Sequence, residues 1–172
     1  MNRLLVVGTD TDLLKSVRSC LRDDFDIRHA RTAASALRLA HEEQPDLIIL
    51  GYIEPRGEAF NLNKELRERE GTTAIPILVV DVHPKEHLRK GWRRLEGSQM
   101  DAEGYISRPL DARSLRAEVM RILDSASVRM LSWIRILEQS EKSLLQEMAL
   151  WSGTEADQVR KAAERQVAEL RI

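Results

Sequence analysis

Residues 45–55 read PDLIILGYIEP. Four aliphatic residues, Leu47 to Leu50, are entered through Pro45 and Asp46 and left through Gly51, Pro55 and Gly57. A continuous apolar run of this length between turn residues reads as a strand buried on both faces, because a strand with one wet face alternates. Parallel sheets are where both faces are covered, each by helices. In open α/β sheets the reacting groups sit just beyond the carboxyl ends of the strands. This strand brings to that place Gly51, a residue with no side chain.

On either side of it the same alternation repeats. Leu4 to Val7 is a short apolar run, followed by helical spacing at Leu13, Leu14, Val17 and Leu21. Phe25, Ile27 and Ala30 mark a second, partly exposed strand, and Thr32 is placed to cap a helix with Ala33, Ala36, Leu37 and Ala40 on one side. After the 47–50 strand comes a helix through Phe60, Leu62 and Leu66, then a strand over Ile75 to Val80. Pro76 stands at the beginning of that strand, where a missing amide donor is tolerated. A charged helix from Pro84 to Leu95, a short strand at Tyr105 and Ile106, and a helix capped by Asp111 complete the series. The last helix carries Leu115, Val119, Ile122 and Leu123 on one stripe. The fold class is α/β: a doubly wound, five-stranded parallel sheet over residues 1–124.

Beyond residue 124 the strands stop, and residues 125–172 read as a helical hairpin. Met130, Ile134, Leu137, Leu144, Met148 and Trp151 fall at alternating four- and three-residue steps, with Glu141 interrupting the seam. Gly153 breaks the helix. Thr154 to Asp157 form an acidic variant of a capping box for a second helix through Val159, Ala163, Val167 and Leu170. A long apolar stripe left in water is unfavourable. A coiled-coil homodimer through this tail is therefore expected; a hairpin folded back on its own domain is the other way to cover it.

Composition narrows the function classes. The 172 residues are 42% hydrophobic and 32% charged, enough for a packed core, and with aromatics at 4% that core must be aliphatic. A net charge of -1 gives no general attraction to nucleic acid or an anionic membrane. No stretch has the length of a signal peptide or a membrane span. Cys20, the only cysteine, excludes an internal disulfide and reads as a buried thiol. A cytoplasmic setting is expected. His29, His41, His83 and His87 lack paired metal-ligand spacing, so neither a metal nor a cofactor is assigned.

The order of elements and four phrases resemble the receiver domain of bacterial two-component response regulators, the CheY-like superfamily. The phrases are RLLVVGTDTDLL (3–14), PDLIILGYIEP (45–55), IPILVVDV (75–82) and GYISRPLD (104–111), and the resemblance covers residues 3–124. GYISRPLD is the most specific, because receivers place an aromatic and then a basic residue before proline at this spacing. The resemblance implies two acidic residues ending the first strand to hold magnesium; here they are Gly8 and Thr9. It implies a phosphoacceptor aspartate at Gly51, a serine or threonine at Asp81, and a lysine at Arg108. Tyr105 stands at the aromatic position that reports activation in working receivers.

Those departures bear on the chemistry. Phosphoryl transfer to a side chain needs a carboxylate nucleophile, and glycine has none. Mg²⁺ favours carboxylate oxygens, which Gly8 and Thr9 do not supply. A carboxylate at Asp81 repels an incoming phosphate dianion. The expectation is a degenerate pseudo-receiver, not an enzyme, in which Asp81 and Arg108 pair with each other across the emptied pocket. Asp10 and Asp12 are expected to help cap the first helix.

In the family, the fourth helix, fifth strand and fifth helix form the surface used for dimers and output partners. Here that region carries Arg89, Lys90, Trp92 and Arg93, a composition met at interface hot spots. The expected role is an adaptor in bacterial signalling, with a signalling or scaffold protein as partner. The alternative is a transcriptional or antitermination regulator with its tail on nucleic acid. Against it, Arg160, Lys161 and Arg165 are offset by Glu155, Asp157, Glu164 and Glu169, leaving no basic stripe. A small molecule held in the vacated pocket is a third possibility.

Overall fold

Every strand residue in the centre of the sheet is apolar because helices cover both sides of it. In the computed structural model, which describes residues 2–91, 100–149, 161, 162 and 164, the strands are β1 (Asn2–Val7), β2 (Phe25–Ala30), β3 (Leu47–Leu50), β4 (Ile77–Val80) and β5 (Gly104–Ile106). They pair in parallel in the order β2-β1-β3-β4-β5. Leu4, Val6, Leu47, Ile49, Leu78 and Val80 point to one face. Leu5, Val7, Ile48, Leu50, Ile77 and Val79 point to the other.

The first face is covered by α1 (Thr11–Leu21) and by the start of α5 (Ala112–Ala149). The second is covered by α2 (Ala33–Glu43) and α3 (Glu58–Glu68). Three of these helices begin where the sequence supplies a side-chain cap, whereas α3 starts after Gly57 without one. Asp10 caps α1, and Thr32 forms a reciprocal capping box with Ser35 on α2. The Asp111 carboxylate accepts from the Ser114 amide at 2.9 Å at the start of α5. Cys20 is partly buried and packs against the α1 side of the core.

Three expectations are adjusted. β4 starts at Ile77 rather than Ile75, with Pro76 just outside it and its carbonyl taking the Ile48 amide at 2.9 Å. Of the helix expected from Pro84 to Leu95, the described part is a 3₁₀ turn, Pro84–Glu86, followed by α4 (His87–Lys90); residues 92–95 lie outside the described residues. None of the residues in these two segments is buried. Finally, α5 runs through residues 124–126 without a break, since Leu123 to Ser127 contain neither glycine nor proline.

The chain divides into two compact units, Met1–Ala126 and Ser127–Ile172. Trp92, Arg93, Trp151 and the expected second tail helix lie outside the described residues, except for helical Lys161, Ala162 and Glu164. No helix among the described residues is long and apolar enough to cross a membrane.

Candidate functional site

The carboxyl ends of β1, β3, β4 and β5 bring Gly8, Gly51, Asp81 and Arg108 to one end of the sheet. The β1 and β3 ends are stitched together by backbone. The Gly51 amide donates to the Val7 carbonyl at 2.8 Å, and the Thr9 amide donates to the Tyr52 carbonyl at 2.9 Å. The Thr9 hydroxyl also turns to that carbonyl, at 3.3 Å. Gly8 has φ +155°, and a Cβ there would come within 3.1 Å of the Tyr52 carbonyl. The first two positions thus offer main chain and one hydroxyl, with no carboxylate.

Gly51 is tighter still. A Cβ on it would lie 2.4 Å from Leu13 Cδ2 and 3.3 Å from the Val7 carbonyl oxygen. The place where a side chain at 51 would begin is filled by a buried leucine of α1. Its backbone is not in the left-handed region, so packing, and not a special φ, makes glycine the residue that fits.

Arg108 does not pair with Asp81. Its Nη1 lies 2.6 Å from Oδ2 of Asp10, and both side chains are largely covered. Asp10 uses its other oxygen to cap α1, accepting from the amides of Asp12 at 2.8 Å and Leu13 at 3.4 Å. Burial pushes the Asp10 carboxyl up, but the amide bonds and the Arg108 charge together outweigh it and hold the group below its ordinary value. Capping consumes one carboxylate oxygen, which leaves the second available for a guanidinium. Reading Asp10 only as a cap therefore missed the anion of this site. Asp12, for its part, pairs with Lys15 at 3.5 Å.

Asp81, buried, satisfies its charge locally instead. It accepts from the Val82 amide at 2.7 Å, lies close enough to Tyr105 to act on its hydroxyl, and stands 3.5 Å from His87 Nε2. These neighbours come from its own turn, from β5 and from α4. Burial first, then the hydrogen bond to Asp81 and its negative charge, raise the Tyr105 hydroxyl above the usual tyrosine range. Tyr105 is half-exposed.

Beside Gly51, a crevice between Tyr52, Ile53, Val80 and Lys90 encloses about 10 Å³, room for about one water molecule. A small organic ligand does not fit there. Among the described residues no group of three His, Cys, Asp or Glu side chains comes together.

The expected interface residues divide. Arg89 is exposed and 3.7 Å from Glu86. Lys90 instead turns inward, 2.7 Å from Glu86 and 5.5 Å from the centre of the Tyr52 ring. In the second unit, Met130, Ile134, Leu137 and Leu144 are exposed, as are Leu131 and Trp133, which the heptad spacing did not single out. The side chain of Met148 is not among those described.

The sensor histidine kinase TmoS of Ectopseudomonas mendocina is 32% identical over 121 residues, 70% of this chain but 12% of TmoS. Protein PilH of Pseudomonas aeruginosa is 24% identical over 124 residues, covering 72% of this chain and 98% of PilH. Among solved structures, NtrX from Brucella abortus in complex with ADP superposes with a TM-score of 0.62 at 22% identity, over 96% of this chain and 34% of that one. Chemotaxis response regulator CheY4 of Vibrio cholerae superposes at 0.59 with 22% identity, over 71% of this chain and 98% of that one. The family model for the response regulator receiver domain matches residues 4–120. With the β2-β1-β3-β4-β5 sheet and that match spanning most of the chain, the protein belongs to the response regulator receiver domain family.

Proposed function

We propose that this receiver works without phosphorylation, as a pseudo-receiver that presents a protein-binding surface in bacterial signalling. The observation that carries the reading is Leu13 Cδ2 standing 2.4 Å from where a Cβ on Gly51 would be. A nucleophile is absent, and the space from which one would act is part of the hydrophobic core. The Asp10 carboxylate, 2.6 Å from Arg108, supports the same reading. It supplies from inside the chain the negative charge that a basic side chain at this end of the sheet otherwise lacks. The module is a binding domain and not an enzyme, and its conformation is set by internal contacts.

The exposed side chains of Met130, Leu131, Trp133, Ile134 and Leu137 support a second element of the proposal. Such a patch on α5 is of the kind that marks association surfaces, and we assign it to self-association in a homodimer. The decisive experiment is incubation of the full chain with acetyl phosphate and Mg²⁺. Intact mass and amide NMR shifts are expected to stay unchanged. A phosphate adduct on any aspartate ends the reading.

A further inference from the structure

Among the described residues, α4 has no buried side chain of its own. No residue of the 3₁₀ turn Pro84–Glu86 or of α4 is buried, and Leu88 is 94% exposed. The described contacts of α4 are polar, and they converge on the loops beside Gly51. At its amino end, His87 Nε2 lies 3.5 Å from Asp81. At its carboxyl end, Arg56 reaches over from the loop between β3 and α3. The Arg56 Nε donates to the Gly91 carbonyl at 3.0 Å and its Nη1 to the Leu88 carbonyl at 3.3 Å. A guanidinium suits this place, because carbonyls at the end of a helix carry partial negative charge. Lys90, held by Glu86, lies over the ring of Tyr52, the residue that follows Gly51.

We propose that Arg56 is a latch that sets the position of α4, doing by a fixed side chain what a phosphate-dependent contact does not do in this protein. The inference rests on the reading that the domain takes up no phosphoryl group. It assigns a positioning role to Arg56 that its place in the sequence, after Pro55 in a turn, does not reveal. Arg56 joins the segment after β3 to the segment after β4 through two main-chain carbonyls, so the contact depends on the backbone position of α4 and not on its side chains. With the latch closed, α4 holds one orientation. With it open, the described contacts that tie α4 to the sheet end are those of His87 and Lys90, and α4 becomes a locally opening segment on a rigid sheet.

The test is hydrogen exchange of the full chain, as wild type, Arg56→Gln and Arg56→Lys, with the strands of the sheet as internal reference. Exchange of residues 83–91 is expected to rise about three- to tenfold in Arg56→Gln, the loss of one or two charge-assisted bonds at an exposed site. Residues 47–50 and 77–80 are expected to keep wild-type exchange. Arg56→Lys is expected to fall between, since an ammonium keeps the charge but not the two-pronged geometry. Equal exchange of 83–91 in wild type and Arg56→Gln overturns the latch. So does a rise spread evenly over the whole sheet, which would report general destabilisation. The phosphodonor experiment separates the two ideas: an adduct on wild type sinks the reading beneath the latch, and unchanged exchange without an adduct sinks the latch alone.

Discussion

Replacing Gly51 with alanine tests whether packing closes the site. The added Cβ would meet Leu13 Cδ2 at 2.4 Å, more than 1 Å inside the roughly 3.5–4.0 Å at which two carbons rest against each other. Leu13 is 1% exposed and locked among α1, α5 and the sheet, so it cannot swing into solvent. Overpacking of this kind costs about 1–3 kcal/mol. Alanine also restricts the unfolded chain, which offsets about 0.4–1 kcal/mol, so a net loss of about 1–2 kcal/mol is expected. Leu13→Ala alone should cost about 2–5 kcal/mol as a buried truncation. In the double variant the new methyl enters the space that the leucine leaves. The combined loss should then fall short of the sum by about 1–2 kcal/mol, a coupling that contacting residues show and distant ones do not. Urea unfolding followed by far-UV circular dichroism measures all four proteins, with equal m-values required for the comparison. The reasoning is refuted if Gly51→Ala is as stable as wild type, or if the double variant is additive. Gly51→Asp should be less stable than Gly51→Ala and still take no phosphate, because Gly8 and Thr9 bring no anionic metal ligand to the site.

Asp10→Asn should destabilise the fold by about 2 kcal/mol at neutral pH through the lost charge-assisted bond to Arg108, since asparagine keeps the oxygen that caps α1. The Asp10 carboxyl is held below its ordinary value of 3.8, so its contribution is complete above that pH and lost as pH falls through the lower folded value. The gap between wild type and Asp10→Asn should therefore close in acid, and a constant gap would show that the charge is not involved. Arg67 donates to the Asp101, Thr73 and Ile75 carbonyls and to Glu103 at 2.7 Å, so Arg67→Ala should cost about 2–3 kcal/mol in the same unfolding assay. In light scattering, the full chain is expected as a dimer and Leu137→Asp as a monomer; dimers of both would move self-association away from this stripe.

Much of the fold was legible because it follows from local rules. Leu47 to Leu50 can be continuously apolar only if helices cover both sides, and Asp10, Thr32 and Asp111 announce three helix starts through short-range hydrogen bonds. At the start of the segment from Pro84, the charged sequence does not distinguish the 3₁₀ turn Pro84–Glu86 from the α4 turn that follows it, because neither carries an apolar stripe. The identities at the strand ends were equally readable: Gly8, Thr9 and Gly51 carry no carboxylate in any fold. What lies around them was not.

The sequence by itself determined a doubly wound parallel sheet, its helix caps and the missing acidic residues, since periodicity and capping act over a few residues. Only the tertiary structure decided that Leu13 fills the space beside Gly51, that Arg108 takes Asp10 instead of Asp81, and that Arg56 holds α4. These contacts join residues 38, 98 and 35 positions apart in Leu13–Gly51, Asp10–Arg108 and Arg56–Gly91. Which of several opposite charges meet, and which side chain fills a gap, depends on distances set by packing the whole domain. Spacing along the chain carries no record of them.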